Sequence, residues 1–162
     1  MTKITFLQKF KMSTITTFRW FLALTFFMYG GAKIYPGQFS TGDFTFDSTK
    51  DSAMQLAWHF FGYSDTYNLF IACGEITAAL LLLIPRTATL GNIIYLPIIV
   101  NITIIDYCFN IPALGISSLL TCMSVSLLLF EYSKLKMIFI SHPLGNKDLI
   151  QSTKNKKQVT LN

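Results

Sequence analysis

Residues 70–91 read FIACGEITAALLLLIPRTATLG. The run is almost wholly apolar up to Ile84, is broken by Pro85-Arg86-Thr87, and resumes at Ala88. Proline cannot continue a helix interior, because it lacks an N–H and its ring clashes with the carbonyl four residues back. A turn this short between two apolar helices makes them run antiparallel. The stretch therefore predicts a helical hairpin with a carboxylate, Glu75, in the middle of its first arm. A buried carboxylate is costly unless it is paired, protonated or hydrated, so Glu75 needs a partner, a proton or water.

The rest of the sequence suits such a hairpin to lipid. Hydrophobic residues make up 52% of the 162 and charged residues 13%, against roughly 25% charged in soluble domains. The net charge of +5 sits at the two ends of the chain and in short flanks. That distribution suits anionic headgroups and excludes a nucleic-acid partner, which needs a clustered basic face. Cys73, Cys108 and Cys122 form no C-x-x-C and no metal spacing. Cys73 and Cys122 read as small residues packed between helices.

Four apolar segments stand out, at residues 17–35, 67–84, 88–107 and 112–130. Each approaches the roughly 20 residues that cross a hydrocarbon core, and in lipid only helices satisfy an isolated segment's backbone. The expected fold is all-α: a polytopic, four-transmembrane-helix antiparallel bundle over residues 17–142. A basic segment (1–16) precedes it and a polar, Lys-rich tail (143–162) follows. Asn110 could cap the fourth segment, with Pro112 in its first turn. In the outer loop, residues 36–66, Asp51-Ser52 precedes Met54, Trp58 and Phe61 at helical spacing. These predict a short interfacial helix with Trp58, Tyr63 and Tyr67 at headgroup level. His59 beside them reads as an interface residue rather than a metal ligand.

Charge sets the orientation. Lys3, Lys9, Lys11, Arg19, Arg86, Lys134, Lys136, Lys147, Lys154, Lys156 and Lys157 fall on one side of this topology. The positive-inside rule makes that side cytoplasmic, with both termini there, in the cell membrane. Gly30-Gly31-Ala32 resembles a signal-cleavage site, but the apolar run continues to Tyr35 and cleavage would break the charge pattern.

Glu75 lies roughly 12 Å from the outer end of its segment at 1.5 Å per residue. Ionisable groups at that depth face the bundle interior and pair with something. Tyr29, Lys33, Asn101 and Asp106 are the available partners. Tyr29 stands one turn from Lys33 on the same face. Asn101 follows Pro97, which leaves a carbonyl unsatisfied. Together the five would line one polar pocket opening outward under the interfacial helix, although span-end anchoring suffices for Asp106. Glu75 is then either ionised against Lys33 or protonated, with Lys33 snorkelling to the surface. At the inner end, Arg86 and Glu131 form a candidate ion pair, and Arg86 reads first as a topology determinant. Gly115, Ser118, Cys122 and Ser126 make a small-residue stripe read as a packing face.

The chain resembles the DoxX-like family of small four-span membrane proteins over residues 17–130. The resemblance rests on RWFLALTFFMYGGAKIYPGQF (19–39), GEITAALLLLIPRTATLG (74–91) and NITIIDY (101–107). It implies Lys33, Glu75 and Arg86 as family-type positions. It also implies a membrane subunit of a quinone- or thiol-linked redox system, partnered by another redox or membrane subunit. No cofactor motif is evident, and quinone is the cofactor the resemblance suggests. The alternatives are a small-solute transporter and a non-catalytic scaffold, and a stand-alone enzyme is not expected.

Overall fold

A computed structural model describes residues 5–139, which form six helices and no strand. They are α1 (Phe6–Ile34), α2 (Ala53–Gly62), α3 (Asp65–Leu83), α4 (Ala88–Cys108), α5 (Leu114–Phe130) and α6 (Tyr132–Phe139). Helix α6 belongs to a unit separate from the main one, which ends at Glu131. The basic residues Lys3, Lys147, Lys154, Lys156 and Lys157, and the tail of residues 143–162, lie outside the described residues.

In the main unit α1 packs on α3, α3 on α4 and α4 on α5, and α5 closes the ring against α1. Each helix contributes one stripe. Leu22, Ala23, Phe26, Gly30 and Lys33 are buried on α1, and Ala72, Glu75, Ala78, Ala79 and Leu82 on α3. Small residues let α1 and α3 approach closely. A Cβ on Gly30 would stand 2.9 Å from Ile76 Cγ1 and 3.2 Å from the Ala72 carbonyl. Gly91 plays the same part between α4 and α3, where a Cβ would come within 2.7 Å of the Leu82 nitrogen.

The hairpin of residues 70–91 is present as α3 and α4. Its turn is finished by side chains. The Thr87 hydroxyl donates to the Leu81 carbonyl at 3.0 Å. Arg19 donates from Nε and Nη2 to the Leu82 carbonyl (3.1 and 2.9 Å) and from Nη2 to the Leu83 carbonyl (3.2 Å). These are among the last-turn carbonyls that a helix leaves without partners. Helix α2 begins where Asp51-Ser52 indicates: Ser52 accepts from the Gln55 N–H and the Gln55 side chain accepts from the Ser52 N–H. Before it, the Thr49 hydroxyl and N–H and then Lys50 hold the Asp47 carboxyl below the usual aspartate range. His59 stacks on Phe44 with ring centroids 3.9 Å apart.

The expected four-span membrane bundle requires correction. Among the described residues two helices, α3 and α4, are long and apolar enough to cross a membrane. Helix α1 is longer, with 29 residues, but Arg19 and Lys33 leave fewer than the roughly 20 apolar residues a crossing requires between them. Helix α5 has 17 residues, roughly 25 Å at 1.5 Å per residue, short of a core about 30 Å thick. The all-α class stands.

Smaller expectations also change. Helix α1 starts at Phe6 rather than near residue 17, with the Gln8 side chain accepting from the Thr5 N–H. Asn110 does not cap α5: it adopts φ 52°, and the helix opens after Ala113, past Pro112. The stripe of Gly115, Ser118, Cys122 and Ser126 is not the packing face. Gly115 and Cys122 are exposed, and α5 buries Ser117, Leu120, Ser124 and Leu127. Cys73, Cys108 and Cys122 are free but exposed, not packed between helices.

Candidate functional site: a cavity beside a buried ion pair

On α1, Phe26, Tyr29 and Lys33 recur at helical spacing and so share a face. Opposite them, α3 presents Ile71, Gly74 and Glu75. The close approach at Gly30 brings the two faces together. Lys33 Nζ lies 2.9 Å from Glu75 Oε1 and 2.8 Å from Oε2. Both residues are buried, Lys33 at 7% and Glu75 at 0% exposure. The backbone is held as well, since Asn68 Nδ2 donates to the Lys33 carbonyl at 3.0 Å. The rings of Phe39 and Tyr29 lie 5.8 and 6.0 Å from the ammonium, the range in which an aromatic face attracts a cation. Of the alternatives open from sequence, the geometry is that of the paired Lys33 rather than a snorkelling one.

The pair borders a cavity of about 730 Å³. Tyr29, Lys33, Glu75, Asn101 and Asp106 all line it. Asn101 is exposed, Tyr29 half-buried and Asp106 buried. The walls are mostly apolar: Ile94, Ile98, Ile102 and Ile105 from α4, and Ile116 and Leu120 from α5. The roof is aromatic. Phe39 from the loop meets Trp58 of α2 edge-on and stacks on Phe61, and all three line the cavity. Sequence reasoning placed Trp58 at headgroup level and overlooked Gln38 and Phe39. Their only sequence signal was proximity to Lys33.

The polar groups here are unevenly satisfied. An ammonium has three N–H donors, of which Glu75 engages two. Asp106 Oδ2 and Gln38 Oε1 are buried without a hydrogen-bond partner among the described residues. The described residues hold no cluster of His, Cys, Asp and Glu able to bind a metal.

The remaining polar residues lie apart from the cavity. Arg86 is exposed in the α3–α4 turn, whereas Glu131 is buried and accepts from the Thr89 hydroxyl at 2.8 Å. Deeper between α4 and α5, Asn92 Nδ2 donates to the Ser124 carbonyl and the Ser124 hydroxyl donates to Asn92 Oδ1. Sequence reasoning missed this reciprocal pair, although an Asn within an apolar run was a visible sign of it.

No protein-family model matches the chain, and no solved structure matches it. It is 46% identical over 135 residues to the uncharacterized protein YwoB of Bacillus subtilis (strain 168). That match covers 83% of this chain and 88% of the relative. With so much of both chains aligned at that identity, the chain belongs to the same family as YwoB.

Proposed function

We propose that the protein sits in the cell membrane and admits a lipophilic molecule into the cavity beside Lys33 and Glu75, as a DoxX-like membrane subunit of a quinone-linked redox system. The observation that carries this reading is the cavity itself, a large apolar chamber with a few convergent polar groups, the usual form of a small-molecule site. A quinone matches it in kind, with an apolar tail for the isoleucine wall and an oxygen for the free N–H of Lys33. Membrane residence is supported by the two long apolar helices and by large side chains left exposed around the bundle, such as Phe27, Met28, Phe70, Ile104 and Leu129.

Residue 5, the Arg86 turn and Glu131 share one end of the main unit, because Arg19 reaches Leu82 and Glu131 reaches Thr89. With Arg86 in the turn between the two long apolar helices and Arg19 beside it, the positive-inside rule puts that turn on the cytoplasmic side. The loop carrying α2 then faces outward. A transporter reading has less support. The buried Asn92 and Ser124, which would have to continue a polar path toward the Arg86 end, satisfy each other.

Trp58 offers the test. The chain has two tryptophans, so Trp20→Phe leaves Trp58 as the sole reporter. In lipid nanodiscs a decyl-chain quinone should quench its fluorescence saturably. Linear quenching, equal to that of a tryptophan peptide in the same lipid, would overturn the proposal.

A further inference from the structure

Asp106 ends the outer part of α4 with its side chain in the cavity lining and is 5% exposed. Its Oδ2 has no hydrogen-bond partner among the described residues. The neighbouring groups do not supply one. Ser117 is within hydrogen-bond reach of the carboxyl, but its single hydroxyl proton also has the Leu114 carbonyl at 3.2 Å, and Oδ2 is left without a donor. The Ile111 N–H is engaged by the Asp106 backbone carbonyl at 2.8 Å. Lys33 is the one cation in the cavity lining, and its ammonium is paired with both oxygens of Glu75 rather than with Asp106. Gln38 Oε1, in the same lining, is a second unpartnered acceptor. Its amide can be turned to present either atom, which leaves Asp106 as the acceptor of fixed identity. A buried acceptor left unmatched is costly, and native structures keep few of them.

We infer that Asp106 is the specificity-determining group of the cavity and accepts a hydrogen bond from a donor on the lipophilic occupant, so that heads bearing a hydroxyl or ammonium are selected over heads that only accept. This rests on the cavity binding a lipophilic molecule, as proposed above. It adds a direction to that reading. Within a quinone and hydroquinone pair the hydroquinone is the favoured form, because a quinone brings two more acceptors to a carboxylate that lacks a donor. A hydroquinone carries both kinds of group, an oxygen able to take the spare N–H of Lys33 and a hydroxyl able to donate to Asp106.

The test uses compounds of one shape. A decyl-chain hydroquinone, its dimethyl ether, the matching quinone and decylamine are titrated calorimetrically, without oxygen, into the full-length protein in nanodiscs, with empty nanodiscs as the blank. The hydroquinone or the amine should bind at least about tenfold tighter than the ether and the quinone, the factor carried by about 1.4 kcal/mol. Whichever of the two binds tighter identifies the donor, and either result supports the inference. In Asp106→Asn, a variant of the same shape, that ratio should fall to about threefold or less. Equal affinity for all four compounds, or a preference for the quinone, overturns the inference while leaving the lipophilic cavity in place. An unchanged ratio in Asp106→Asn also overturns it. Binding of none of the four overturns the proposed function itself. Should the variant not fold, the comparison on the unaltered protein alone still decides.

Discussion

Lys33 and Glu75 are separated by 42 residues and buried together, which makes each dependent on the other. Two charges taken out of water gain little net stability from their attraction, but removing one strands its partner at a cost of roughly 3–5 kcal/mol. Lys33→Met should therefore lower stability by about that amount, read as a shift in detergent-solubilised thermal or denaturant unfolding. Adding Glu75→Gln should recover much of the loss, because no charge is left stranded. A silent Lys33→Met would sink the ion-pair account. Part of this was legible in the sequence. A carboxylate amid Leu, Ile and Ala must have a partner, and the candidates could be named. Which of them reaches it could not be read, because that depends on how closely α1 and α3 approach, and hence on Gly30. Asp106 was open to misreading for a related reason. A carboxylate near a helix end looks like an anchor in water, and only its place in the cavity lining, at 5% exposure, shows that it is buried.

Helices that approach through small residues are sensitive to added volume at those residues and tolerant elsewhere. Gly30→Val should cost about 1–3 kcal/mol, the usual range for overpacking, since Ile76 and the Ala72 carbonyl already stand close. Nothing lies within 4 Å of a Cβ on Gly115, so Gly115→Ala should be neutral or gain up to about 1 kcal/mol of helix propensity. Circular dichroism melts of both variants check the contrast, and equal effects would contradict it. The same pair shows how far pattern reading reaches. Helical spacing places Gly115, Ser118, Cys122 and Ser126 on one stripe and Ser117, Leu120, Ser124 and Leu127 on another, but spacing alone does not say which faces a neighbour. The α3–α4 hairpin was readable because Pro85 interrupts two continuous apolar runs. The start of α1 was not, because residues 6–16 mix Phe and Leu with Lys and Thr and carry no apolar run.

Among its described residues the main unit buries Lys33, Glu75 and Asp106 and leaves large apolar side chains such as Phe27, Met28, Phe70, Ile104 and Leu129 exposed. If the end carrying Arg86 faces the cytoplasm, a thiol introduced by Ser48→Cys in the outer loop should react with a membrane-impermeant maleimide added to intact cells. Labelling that appears only after permeabilisation would reverse the orientation. Cys73 and Cys122 are exposed within α3 and α5, so a hydrophilic reagent should leave them largely unmodified in membranes and a lipophilic one should reach them. One consequence concerns how the molecule opens. Helix α1 clasps α3 near both ends of their contact, at Lys33 with Glu75 and at Arg19 with the Leu82 and Leu83 carbonyls. The last turn of α3 is thus completed by a side chain that lies 63 residues earlier in the chain. Fraying of that turn and departure of α1 become one event, so the two helices form a single cooperative unit, with amides that exchange with solvent at a shared rate rather than turn by turn.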